Sequence, residues 1–182
     1  MKRTAPGLLI AMPSLRDPNF TETVVLMLEH NRDGAVGLVV NRPFPGKPEV
    51  ICSGLGIEWV DEGLGDIRLG GPVRTQAGCI VHPPTRNFED TQIVTDAISV
   101  STSREALEEL VLVPDCPFRL MLGYAGWGPG QLEREMSEGT WLLTPATPLL
   151  LFETDPEQVY DGALAAMGIR RQDLVATNTA IH

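Results

Sequence analysis

The residues of this chain able to do covalent or acid–base chemistry are few and scattered. Of the three cysteines Cys52, Cys79 and Cys116, Cys79 or Cys116 could supply a thiolate nucleophile, with His30 or His82 as the base. No local motif joins them, CxxC spacing is absent, and Asp115 would raise the thiol pKa of neighbouring Cys116. Buried structural thiols are the expectation, and an odd cysteine number suits a reducing cytoplasm. His30 and His82 could bind a metal with Glu29 or Glu22, but neither lies in a dense ligand motif, so hydrogen-bonded structural roles and no bound metal are expected. Ser14 and Ser53 stand near turns; SGLG around Ser53 lacks the preceding glycine of a GxSxG elbow, which leaves capping or turn duty. Arg42, in Asn41-Arg42-Pro43, offers a planar fork for a carboxylate or phosphate, and its expected use is an internal pair with Asp17 or Glu133.

One stretch, Phe118 to Met136 (FRLMLGYAGWGPGQLEREM), dominates the organisation of the chain. Its apolar run Phe118 to Leu122 reads as a buried strand ending at Gly123. A tight glycine turn and a helix follow, with Gly128 as N-cap, Pro129 as the first helical residue and Trp127 stapled to Leu132. A glycine-rich strand-to-helix turn suggests phosphate binding, yet Gln131 occupies the third place of GxGxxG. Pro129 and Gly130 stand where a Walker motif needs Lys and Ser or Thr. Glu133 and Glu135 near the helix start would repel a phosphate. The turn is therefore expected to seat Trp127, and Tyr124, Trp127 and Gln131 could line a pocket for a small polar ligand.

These residues must be positioned by a chain of 182 residues, enough for one domain spanning 1–182 with a sizeable core. Fourteen basic against twenty-four acidic residues give a net charge of −10, which disfavours a sequence-independent grip on nucleic acid. The start Lys2-Arg3 with the run Leu8 to Met12 is too short for a signal peptide and is interrupted by Pro13. No segment approaches the roughly 20 apolar residues needed to cross a bilayer.

Strands are expected at Gly7 to Met12, Val24 to Glu29, Val36 to Val40, Ile67 to Leu69 and Gly78 to His82, with Asp33-Gly34 turning the second into the third. A strand pair within Thr91 to Ser101 and strands at Thr140 to Thr144 and Leu149 to Phe152 complete the set. Helices are expected at Val50 to Leu55, Arg104 to Val111 capped by Ser103, and Asp155 to Met167. Strands without regular βαβ alternation point to an α+β fold.

Four blocks, MPSLRDPNF at Met12 to Phe20, HNRDGAVGLVVNRP at His30 to Pro43, GGPV at Gly70 to Val73 and GYAGWGPGQLEREM at Gly123 to Met136, resemble the YqgE/AlgH family in order and separation. The resemblance runs from about Gly7 into the closing helix. It implies a single domain with a coiled, partly split, mainly antiparallel sheet flanked by helices, no cofactor and no catalytic residues. Some members are described as transcriptional regulators, although this acidic chain presents no basic helix-turn-helix. The expected function is thus non-enzymatic and cytoplasmic: binding a protein partner or small ligand, in gene regulation, through a surface of Asn41, Arg42, Tyr124, Trp127 and Gln131. The alternative is a hydrolase or thiol-dependent enzyme whose residues converge only in the fold.

Overall fold

The computed structural model describes residues 4–60 and 63–174; Lys2 and Arg3 lie outside it. Among the described residues nine strands form one sheet: β1 Gly7–Ala11, β2 Val24–Asn31, β3 Gly34–Val39, β4 Gly65–Leu69, β5 Val73–His82, β6 Gln92–Thr95, β7 Ile98–Ser101, β8 Phe118–Trp127 and β9 Trp141–Thr144. Their order is β6-β7-β5-β8-β3-β2-β1-β9, with β4 added beside β8. Every pairing is antiparallel except β4 with β8. Helices α1 Pro48–Gly54, α2 Arg104–Leu112, α3 Gln131–Ser137 and α4 Pro156–Ala166 pack around it, making a single α+β domain.

Strand β8 joins the two parts of the sheet. Along one edge it pairs with β5; along the other, Phe118–Leu122 pair with β4 and Ala125–Trp127 with β3. The changeover needs glycine. Gly123 has φ 74°, and a Cβ there would stand 2.4 Å from the Gly71 carbonyl oxygen, while one on Gly71 would come within 2.2 Å of the Tyr124 carbonyl group. Only chains without side chains can cross so closely. Gly70 completes the join, its N–H donating to Leu122 O at 2.7 Å and its carbonyl accepting from Val39 N at 2.8 Å.

This corrects the expectation that the strand ends at Gly123. The positive φ is absorbed as an irregularity, and the strand continues to Trp127 because Trp127 pairs with Ala35 of β3. Helix α3 accordingly starts at Gln131, with Gly130 at φ 71° as its N-cap, so Gly128 is not the cap and Pro129 not the first helical residue. Leu149 to Phe152 is likewise not a strand but a π-helical turn, Leu149–Glu153. A short apolar run has no period to separate the two; here the carbonyls of Leu151 and Phe152 turn inward onto Arg119.

The remaining elements fall near their expected places. The β2–β3 hairpin turns at Arg32-Asp33, and Ser103 caps α2 by accepting from Ala106 N. Strand β1 is buried on both faces: Leu8 and Ile10 join a core with α4 and the π-helical turn, Leu9 and Ala11 a second with α3, Trp127 and Trp141. A third core lies between α1, α2 and the sheet, around Ile67, Ile80, Leu107 and Leu120.

Candidate functional site

Asn41 and Arg42 follow β3, and both side chains reach back to the loop before β2. Asn41 Oδ1 accepts from Val24 N at 2.9 Å and its Nδ2 donates to Glu22 O at 2.9 Å, pinning a turn in which Glu22 has φ 52°. One Arg42 terminal nitrogen donates to Thr21 O at 3.0 Å and Pro18 O at 3.3 Å. The expected pairing with Asp17 or Glu133 is therefore corrected. The loop carbonyls have no partner in the sheet and attract the guanidinium, while Asp17 accepts from Asn19 N and Glu133 lies beside His30. No carboxylate among the described residues pairs with Arg42.

Arg42 faces a cleft of about 520 Å³ shared with Thr21, Glu22, Asn41, Tyr160 and Arg171. Arg171 is fully engaged: it pairs with Glu22 at 2.7 Å and Asp161 at 2.8 Å and stacks 5.1 Å above the Tyr160 ring. Tyr160 donates to Ala11 O at 2.7 Å, which fixes α4 against β1. Among the described residues lining the cleft, Arg42 is thus the cation without a carboxylate partner.

Tyr124, Trp127 and Gln131 do not line this cleft. Tyr124 is half-buried against the α4 core. Trp127 stacks on Phe20 and meets Trp141 edge-on, with centroids 5.9–6.1 Å apart. Both indole N–H groups donate to Glu135 Oε2, at 2.9 and 2.8 Å, and Gln131 Nε2 donates to Glu135 Oε1 at 2.9 Å. Gln131 Oε1 in turn accepts from Gly128 N at 3.1 Å. Glu135 is thereby a hub rather than a helix-start charge, and the surface expected from sequence separates into an open cleft and a closed aromatic corner.

His30 sits between Thr4, whose N–H reaches Nδ1 at 3.3 Å, and Glu133 Oε1, 3.1 Å from Nε2 but off the hydrogen-bond axis. His82 is fully buried. Its Nδ1 contacts Pro83 O at 2.8 Å and its Nε2 contacts Ser101 Oγ at 2.9 Å, with Thr91 Oγ1 a further 2.8 Å away. A carbonyl acceptor requires Nδ1 to hold the proton, so Nε2 accepts from Ser101. Burial lowers the His82 pKa, against the Pro83 bond and Asp90. This is a serine–base–orienter arrangement, but Ser101 is itself wholly buried, so no substrate reaches it in this conformation. Among the described residues, no group of three His, Cys, Asp or Glu side chains is placed to hold a metal.

The thiols are poor nucleophiles. Burial, aided by Asp90, pushes Cys79 up to about 12. Burial also raises Cys52 and Cys116, with Thr85 and Arg86 partly offsetting it at Cys116.

Two features escape the sequence reading. Arg68 and Arg119, both buried, share Asp66, at 2.9 and 3.4 Å, and donate to main-chain carbonyls including those of Val40, Leu64 and Phe152. A charged residue inside the strand runs IRL and FRLML was the available signal. The second is an apolar cleft of about 500 Å³ between α1 and α2, assembled from segments too distant in sequence to suggest one another.

Residues 8–172 match a family model described as AlgH-like. A UPF0301 protein of Myxococcus xanthus is 42% identical over 171 residues, covering 93% of each chain, and one of Nitrosococcus oceani is 38% identical over 164 residues, covering 88% of each. The solution structure of the AlgH protein from Pseudomonas aeruginosa matches with a TM-score of 0.76 at 35% identity, over 100% of this chain and 98% of that one. A Corynebacterium diphtheriae crystal structure, with a TM-score of 0.68 at 20% identity over 90% of this chain and 87% of its own, shares the fold.

Proposed function

The chain belongs to the AlgH-like family, and on that footing we propose that it is a non-enzymatic binding protein of the cytoplasm, regulating gene expression by holding a protein partner or small ligand. The observation that carries this reading is Arg42: a guanidinium anchored through one nitrogen to two carbonyls, unpaired by any described carboxylate, beside a cleft of about 520 Å³. Such a fork suits a carboxylate, on a protein side chain or a small molecule. The raised thiols and the buried Ser101–His82 pair support binding over catalysis, and the net charge of −10 supports a route to regulation that avoids direct contact with nucleic acid.

The test is recovery of proteins and metabolites from native lysate by wild type, Arg42→Ala and Arg42→Lys. Loss of a charge-assisted contact should weaken a specific partner by about tenfold or more in the alanine variant, with partial retention in the lysine variant. Equal recovery by all three would release Arg42 from the contact surface.

A further inference from the structure

We propose that the cleft between α1 and α2 is a binding site for a small, uncharged, mainly apolar molecule with one hydrogen-bonding edge. This site is separate from the Arg42 cleft and stands independently of the reading above.

Its floor is laid by Ile80 of β5 with Leu120 and Leu122 of β8, and its walls by Leu107 of α2 and by Val50 and Leu55 at α1. Val50 is 66% and Leu55 45% exposed, so α1 turns apolar surface toward the opening that the chain does not cover. Strand β5 shapes the mouth. Val73 pairs with Tyr124, yet Gly78 pairs with Leu122, so the residues between them leave the ladder, helped by Arg74 at φ 45°. That bulge brings Thr75 and Gln76 to the cleft with no hydrogen bond from either side chain to a described residue. An amide and a hydroxyl are therefore free to meet one polar edge of a ligand.

Charge selects for a neutral occupant. The start of α2 also lines the cleft, but Asp90 already accepts from the N–H and hydroxyl groups of Thr102 and Ser103. Burial alone would raise that carboxyl; these bonds outweigh it and bring it to about 2. The helix start is thus neutralised internally. Arg104, the charged residue of the lining, pairs with Glu108 at 2.7 Å. An ionic ligand would find no unpaired counter-charge among the described lining residues and would lose its hydration.

Size selects for a small molecule. About 500 Å³ lies within the range of roughly 300–1,000 Å³ typical of small-ligand sites. A globular partner burying about 800 Å² per side would touch mainly its rim. Gly54 also lines the space, and a Cβ built on it meets nothing within 4 Å. A larger side chain there should grow into the cleft without displacing the protein, and the exchange removes a glycine from a helix.

The experiment titrates the 182-residue chain with three probes that share a naphthyl ring, 2-naphthamide, 2-naphthoate and naphthalene, following backbone amide shifts by NMR. The amide should shift Val50, Leu55, Gln76 and Leu107 and bind at least tenfold tighter than either other probe. Gly54→Leu should abolish these shifts while keeping the wild-type urea midpoint or raising it, and Arg42→Ala should leave them unchanged. The proposal is overturned if none of the probes shifts these residues at millimolar concentration, if naphthoate binds as well as the amide, or if stably folded Gly54→Leu binds like wild type. Shifts at these residues that follow protein concentration instead of probe would overturn it too, assigning the surface to a second copy of the chain.

Discussion

The two halves of β8 make opposite use of their neighbours. At its end, Ala125 and Trp127 enter a corner where Phe20, Trp141, Gln131 and Glu135 satisfy one another. At its beginning, Leu120 and Leu122 floor a cleft whose walls stay open and whose rim amide and hydroxyl have no partner among the described residues. The corner holds the residue types that usually attract a functional reading: tryptophans, glycines, a glutamate and a glutamine. The cleft is lined mainly by valine, isoleucine and leucine, with Thr75 and Gln76 at its rim. Binding capacity depends on unsatisfied surface, and a motif whose polar atoms are all engaged has little left to offer a ligand.

That contrast can be broken by substitution. Trp127→Ala should cost about 3–5 kcal/mol in urea unfolding, because a large buried side chain leaves a cavity. A change under about 1 kcal/mol would mean the corner is not the closed core described. Glu135→Ala should cost about 2–3 kcal/mol, since two indole N–H groups lose a charged acceptor; native-state tryptophan fluorescence should change with it.

On the cleft side the buried His82 is also internally satisfied, through Pro83 O and Ser101 Oγ, and pH tests this. Burial lowers the His82 pKa, so the unfolded chain takes up a proton near pH 6.5 while the native chain resists it. This contribution to stability is complete above about pH 6.5 and is lost as pH falls, with a slope of at most about 1.4 kcal/mol per pH unit. His82→Gln should flatten that slope below about pH 6.5; an unchanged slope would place the titration elsewhere. The smallest effect belongs to the open cleft, where Leu55→Ser should change stability by no more than about 0.5 kcal/mol, as measured by the urea midpoint. A loss comparable to that of Trp127→Ala would make the cleft wall part of the core.

Much of the fold is legible along the chain. Alternation and turn chemistry place the β2–β3 hairpin, and Ser103 marks the start of α2. Errors arise where one local pattern admits two structures. Gly123 can end a strand or kink it, and Leu149 to Phe152 can be a strand or a helical turn; pairing of Trp127 with β3 decides the first, and Arg119 grips the carbonyls of the second. The candidate site is less legible. Arg42 stands out as a cation, but its release from Asp17 and Glu133 depends on what those carboxylates meet elsewhere.

Sequence by itself determines the α+β class, most strand and helix positions, the four family blocks and the acidic balance, because each follows from residue type and short-range spacing. Tertiary structure alone decides that Glu135 receives two indoles, that Arg68 and Arg119 share Asp66, and that an apolar cleft opens between α1 and α2. The physical reason is that polar satisfaction and empty volume depend on contacts between distant segments. No residue reveals by its identity whether its partners are already in place.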